Sequence, residues 1–238
     1  MSHFIRIARR TLKRCNHLLS HKLQSETALS YAISQSRPYS TEKITKSPLE
    51  ANILRILHNK IEYQSDNAPP HQPAMNFKSF VVEDRPGEQW MTMRSKFNNG
   101  EEIKLEVTMF DGYETVTKPG EDSSGEDVRF HISLLVDISK NDRDGDSLEF
   151  VCSAWPDCLE IQKIYLLKRV NGVSSTSRPY MGPDFRSLSD ELRKRLKDYL
   201  EERGVNDELS VFLHEYMMNK DKIELIQWFA KLKSFVEK

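Results

Sequence analysis

The chain has 238 residues, 38% of them hydrophobic and 30% charged, with 35 basic against 36 acidic side chains, three Cys and a mean hydropathy of −0.62. No window holds the roughly 18 consecutive apolar residues of a membrane-spanning helix, and so few Cys exclude a disulfide-stapled secreted scaffold. The near-neutral balance hides two unlike parts.

Residues 1–39 carry seven bases (Arg6, Arg9, Arg10, Lys13, Arg14, Lys22, Arg37), three His, six Ser and one acid, Glu26. Arg-rich, Ser-rich and acid-poor is transit-peptide composition. Phe4, Ile5, Ile7, Leu12 and Leu18 interleave with the bases as in an amphipathic helix on an anionic membrane. Arg37-Pro38-Tyr39-Ser40 resembles a processing site cut between Tyr39 and Ser40. The competing reading is a basic arm that binds nucleic acid; its spacing is too regular and its Lys content too low for that. Without the seven bases and one acid, 28 basic and 35 acidic residues remain, a net charge of about −7. An acidic particle repels nucleic acid and anionic lipid and attracts cations and basic proteins. Cys152 and Cys158 have no neighbouring His or Cys cluster, so they read as small apolar side chains and not as a zinc site.

Ser47-Pro48-Leu49-Glu50 is a capping box with Pro at the first helical position. The helix it opens carries Leu49, Ile53, Ile56, Leu57 and Ile61 on one face and is expected to stop near Tyr63. A Pro-rich connector over 64–76 completes an N-terminal region, 40–76. From Phe77 to about Arg169 the period changes to two, clearest in Ile103, Leu105, Val107 and Met109 and again in Phe130, Ile132, Leu134, Val136 and Ile138. Six strands are expected, over 77–84, 88–97, about 103–110, 128–138, 148–154 and 159–169, joined by short turns into an antiparallel meander. Between them 111–127 holds Asp111, Glu114, Glu121, Asp122, Glu126 and Asp127 against the single base Lys118, and is expected to be a solvated, mobile loop.

The helical period returns after Asn171-Gly172. Ser187 or Ser189 is expected to cap a helix that Gly204 ends, and Asn206 or Asp207 to start another over 206–218. Asn219 is expected to cap a last helix bearing Ile223, Ile226, Phe229, Leu232 and Phe235, an apolar face too wide for one sheet. Residues 77–238 with the 48–63 helix therefore read as one α+β domain.

No motif of a nucleotide-binding loop, nucleophile elbow or metalloprotease is present, and the four His after residue 39 (His58, His71, His131, His214) lie in different elements. His131 has the opposite parity to the apolar residues of its strand and reads as a surface side chain; His214 reads as packing or surface. Asp142, Asp144 and Asp146 suggest a calcium loop, but alignment on Gly145 puts Lys140 and Val151 where its first and last ligands belong, so an acidic hairpin turn is expected. Neither a catalytic site, a cofactor nor a resident metal is expected. The bases Arg193, Lys194, Arg195 and Lys197 interleave with acids at helical spacing, a salt-bridged solvent face.

Two stretches carry a family resemblance: Val82-Glu83-Asp84-Arg85-Pro86-Gly87-Glu88-Gln89-Trp90 with Thr108-Met109-Phe110-Asp111-Gly112, and the run from Tyr180-Met181-Gly182-Pro183 through Tyr199-Leu200-Glu201-Glu202-Arg203-Gly204-Val205 to Trp228. Over residues 48–238 the chain resembles the mitochondrial acidic matrix protein family, also called the mitochondrial glycoprotein family. The resemblance implies a twisted seven-stranded antiparallel sheet, one N-terminal and two principal C-terminal helices, a ring-shaped homotrimer and a location in the mitochondrial matrix. Human-type members have a long acidic insertion where 121–127 is short, so their binding repertoires do not transfer. The expected function is a non-enzymatic acidic scaffold or chaperone-like protein for basic partners, such as ribosomal or respiratory-complex assembly proteins. Its expected partner surface comprises Asp111, Glu114, Glu121, Asp122, Glu126, Asp127, Asp142, Asp144, Asp146 and Glu149. The trimer interface is expected at Leu49, Ile53, Leu57, Ile223, Phe229, Leu232 and Phe235. The alternative is a low-affinity cation or calcium buffer resting on the same carboxylates. Neither stable membrane insertion nor direct nucleic-acid binding is expected.

Overall fold

The computed structural model describes residues 46–67, 70–98, 100–117, 126–140, 145–170, 173–174, 180 and 182–238. The expected transit peptide and its cut at Tyr39-Ser40, and the candidate residues Glu121, Asp122, Asp142 and Asp144, lie outside them.

The first helix, α1, runs Pro48–Asn67. It outlasts the expected stop by one turn, which Ser65 and Asn67 extend by bonding back to the carbonyls of Ile61 and Tyr63. A sheet follows in simple sequence order, every neighbouring pair antiparallel: β1 Asn76–Phe77, β2 Phe80–Asp84, β3 Trp90–Phe97, β4 Glu101–Thr117, β5 Glu126–Ser139, β6 Asp146–Ala154, β7 Leu159–Val170 and β8 Val173–Ser174. The six long strands are those read from the alternation. The seven-stranded antiparallel sheet implied by the family is present, and two-residue pairings at its edges bring the count to eight. A 3-10 turn, Phe185–Ser187, leads to α2, Asp190–Glu201, capped by Ser189. Gly204, at φ +78°, turns the chain into α3, Asp207–Glu237, capped by Asn206.

Register explains the core. Met93, Leu105, Val136 and Phe150 lie opposite one another across β3 to β6, as do Met91, Val107, Leu134 and Cys152. Burial of this face under Leu200, Val205, Leu209, Leu213 and Met217 makes the main hydrophobic core.

Three expectations are corrected. The expected break at Asn219 does not occur: 206–218 and 219–236 form one 31-residue helix. Asn219 is buried in mid-helix, where its amide spans the backbone of His71, accepting from its N–H and donating to its C=O, both at 2.9 Å. The acidic segment 111–127 is not all loop, because β4 continues to Thr117 and β5 begins at Glu126. Tyr113, Thr115, Val116 and Thr117 supply the β-propensity that the acids obscured. Likewise Asp146, expected in an acidic hairpin turn, already belongs to β6, which starts two residues before the expected 148.

Helix α3 is fastened by a charged cluster. Lys220, 2% exposed, lies 2.7 Å from Asp84 Oδ1 and 3.3 Å from Glu224 Oε1. Tyr216 donates to the other Asp84 oxygen (3.1 Å), and Glu224 accepts from the Gly87 amide (2.8 Å). Replacement of Lys220 by Ala strands two carboxylates beside a buried site and is expected to cost about 3 kcal/mol. Urea unfolding of K220A measures it, and a loss below about 1 kcal/mol would show that the cluster does not fasten the helix.

Candidate functional site

Two exposed surfaces and one buried polar chain are candidates. The first surface is the distal part of the β4–β5 hairpin. The register slips between Val107 and Phe110 and again before Gly112, where β4 bulges. Beyond it Tyr113 faces Phe130, Glu114 faces Arg129, Thr115 faces Val128 and Val116 faces Asp127. Glu114, Glu126 and Asp127 are exposed, as are Tyr113 (69%), Val128 and Phe130. Arg129, the one base described in this ribbon, is bonded to Asp157 and lies over the Trp155 ring. Asp146 is also exposed, at the start of β6. Glu149 does not join this surface: it is 3% exposed, opposite Asp137 and Tyr165 in the sheet.

The second surface is apolar and helical. Helix α1 packs on α3, and Leu57, expected at a subunit interface, is instead buried within the chain. All residues of α3 that are fully buried lie in its first half, up to Lys220. Leu49 and Phe235 (75%) are exposed, together with Ile56, Tyr63 and Trp228; Ile53, Ile223, Phe229 and Leu232 are half-buried. By contrast, the basic face of α2 is spent on ion pairs, Arg193 with Asp190, Arg195 with Asp198 and Lys197 with Glu201, as the sequence implied.

The buried chain corrects the reading of His131, which is 4% exposed. Its Nδ1 donates to Asp111 Oδ1 (2.7 Å), and its Nε2 accepts from the Ser153 hydroxyl (2.8 Å). Trp155 packs edge-on against the ring at 5.0 Å. Parity misled because both faces of β5 are buried from His131 to Ile138; a lone strand pattern does not show that its polar face is also covered. Asp111, expected on the partner surface, is thus held by His131 at the β4 bulge and also accepts from Thr108 Oγ1 (3.2 Å).

Asp–His–Ser at these distances is the geometry of a nucleophile with its base and orienting acid. Ser153, however, lies within β6, paired to Ser133 on one side and Glu160 on the other. The strand backbone is engaged by both neighbours, and the side chain is buried, so the trio acts as a clamp between β4, β5 and β6. A depression of about 420 Å³ lies elsewhere on the sheet, among Arg94, Lys96, Lys104, Glu102 and Asp137. Arg94 and Lys104 in it are already paired with Glu83 and Glu106. Among the described residues, no group of three His, Cys, Asp or Glu is placed to hold a metal. No described helix is long and apolar enough to cross a membrane.

Burial opposes the Asp111 carboxylate, but bonds from His131, Ser133 and Thr108 outweigh it, holding its pKa below the ordinary value. Burial pushes His214 down, in spite of the bond from its Nε2–H to the Ala154 carbonyl (3.1 Å). Burial alone drives the Cys152 thiol far above the usual range, so it is inert at neutral pH.

The Asp111 contribution to stability is complete above the unfolded carboxyl pKa of about 3.9 and is lost as pH falls through the lower folded value. In urea titrations D111N is therefore expected to be less stable than the parent at neutral pH, with the gap closing as pH falls below about 4. A gap independent of pH would place Asp111 outside the clamp.

A family model described as mitochondrial glycoprotein (MAM33) matches residues 56–236. A mitochondrial protein of Arabidopsis thaliana is 32% identical over 216 residues, 86% of this chain and 82% of its own. The mitochondrial acidic protein mam33 of Schizosaccharomyces pombe is 23% identical over 235 residues, 84% and 85% of the two chains. Among solved structures, the Trypanosoma brucei p22 protein has a TM-score of 0.63 at 22% identity, covering 80% of this chain and 100% of its own. A Leishmania major protein described as a sequence homologue of human p32 has a TM-score of 0.60 at 17% identity, with 79% and 99% covered. These two structural likenesses carry the fold.

Proposed function

The chain belongs to the mitochondrial glycoprotein (MAM33) family, and from that premise we propose that it is a non-enzymatic acidic scaffold or chaperone-like protein of the mitochondrial matrix. It binds basic proteins, such as those that assemble ribosomes or respiratory complexes. Residues 1–39 serve as the import signal, cut near Tyr39-Ser40, which leaves the chain at about −7. The observation that carries the reading is the β4–β5 ribbon, where Glu114, Glu126 and Asp127 are exposed while its described base, Arg129, is held by Asp157. A surface whose acids are exposed without a described basic partner and whose base is internally paired attracts cationic partners by a Coulomb term that salt screens.

The assembly we propose is a homotrimer. Its support is the exposed apolar surface of Leu49, Ile56, Trp228 and Phe235, on helices whose inner faces are already packed against each other. Three copies would multiply weak contacts through effective concentration.

Light scattering coupled to size exclusion on residues 40–238 should give a particle of three chains at low and at high salt; a monomer would remove the multivalency. Replacing Ile223, Phe229 and Phe235 by polar residues should yield monomer or insoluble protein, whereas a soluble, intact trimer would sink the interface. Binding of a basic matrix protein should weaken roughly tenfold or more between low and physiological salt. It should also weaken in the triple variant Glu114→Gln, Glu126→Gln, Asp127→Asn. Binding indifferent to both changes would overturn the acidic-surface reading.

A further inference from the structure

The β4–β5 ribbon has an open strand edge as well as its charge. The last residue of β4 paired to β3 is Thr108, opposite Trp90, and the Met109 amide donates to the Gln89 carbonyl at 3.0 Å. From Gly112 to Thr117, β4 keeps β5 on its inner side and has no strand on its outer side among the described residues. The outer edge of β5 is less open. Although β6 ends at Ala154, opposite Ile132, the turn after it folds back, with Asp157 bonded to Arg129 and Trp155 beneath the guanidinium. Two strands alone are marginally stable, and outward N–H and C=O groups along an edge are a template for a third strand.

The register states what that strand must carry. Tyr113 and Thr115 share one face of the ribbon with Phe130 and Val128, continued by Phe110, whose ring is 5.2 Å from that of Phe130. The other face carries Glu114 opposite Arg129 and Val116 opposite Asp127, with Arg129 drawn away to Asp157. A strand added beside β4 would direct alternate side chains to these two faces.

We propose that residues 112–116 of β4 form a docking edge for an extended segment of a partner protein in which apolar and basic residues alternate. The segment adds to the sheet by backbone hydrogen bonds, setting its apolar side chains beside Tyr113 and its Lys or Arg beside Glu114. This rests on the basic-partner reading above and supplies its geometry.

The test uses the full chain and a fluorescent octapeptide of alternating Lys and Val. Two controls have the same charge: one with four Lys followed by four Val, and one N-methylated at its four central residues, which blocks strand pairing on both edges. Anisotropy should show the alternating peptide binding at least tenfold more tightly than either control, and Glu114→Lys should abolish the difference. Amide signals of 112–116 should shift on binding and gain protection from hydrogen exchange. Equal binding of all three peptides, or shifts confined to other strands, would overturn the docking edge and leave the acidic-surface reading intact. Failure of every cationic peptide to bind would overturn both. Slow exchange at 112–116 in the peptide-free protein, lost on dilution to monomer, would show that a second copy already occupies the edge and would overturn its assignment to a partner segment.

Discussion

One stripe along two turns of helix governs this molecule: Leu209, Leu213 and Met217, at zero exposure, cover the face of the sheet formed by Met93, Leu105, Leu134 and Phe150. A meander of strands in sequence order has no internal crossover to brace it, so one apolar face must find cover elsewhere in the chain. Everything else is arranged around that cover. Gly204 turns the chain so that α3 can follow α2 at once, and Asn206 starts it. Arg203 then locks the junction, with Nη2 2.8 Å from Glu101 Oε2 and its guanidinium 3.5 Å above the Tyr199 ring.

The charges divide by depth. Where a basic or imidazole group is buried it is part of a fastener: Lys220 with Asp84 and Glu224, Arg203 with Glu101, His131 with the outer carboxylate of Asp111. Beyond the β4 bulge the exposed acids Glu114, Glu126 and Asp127 have no such tie to a base in the described structure and are available to an incoming cation. Counting carboxylates therefore overstates the binding surface, and Glu149 shows by how little a residue can miss it, three positions into the strand whose first residue, Asp146, is exposed.

Strands and helices of this chain were legible because each obeyed its period. The core row of β5, Ile132, Leu134, Val136 and Ile138, recurs at every second residue, and Ser189 and Asn206 cap where capping chemistry says they should. What was hidden depended on groups far apart in sequence. Asn219 looked like a cap because its amide prefers helix ends; its real partner, the backbone of His71, is 148 residues away. His131 looked wet because nothing local tells that Ser153, 22 residues on, will close over it. The acidic run at 111–117 looked like loop because charge outweighed β-branching in a single-strand reading, whereas pairing with β5 decides the matter. The partner of an exposed edge is likewise written in another chain.

The pairing of α1 with α3 has a consequence for how the molecule is made. Leu57 can be buried only after the last helix exists, so α1, the first of the described elements to emerge, must wait for nearly the whole domain. Contacts that bridge so much sequence raise contact order and slow folding. A chain that enters its compartment N-terminus first would hold α1 as an unsatisfied amphipathic segment throughout entry, open to whichever chaperone meets it there. Closure by α3 would then mark completion, and a truncated chain would betray itself by the apolar stripe it still shows.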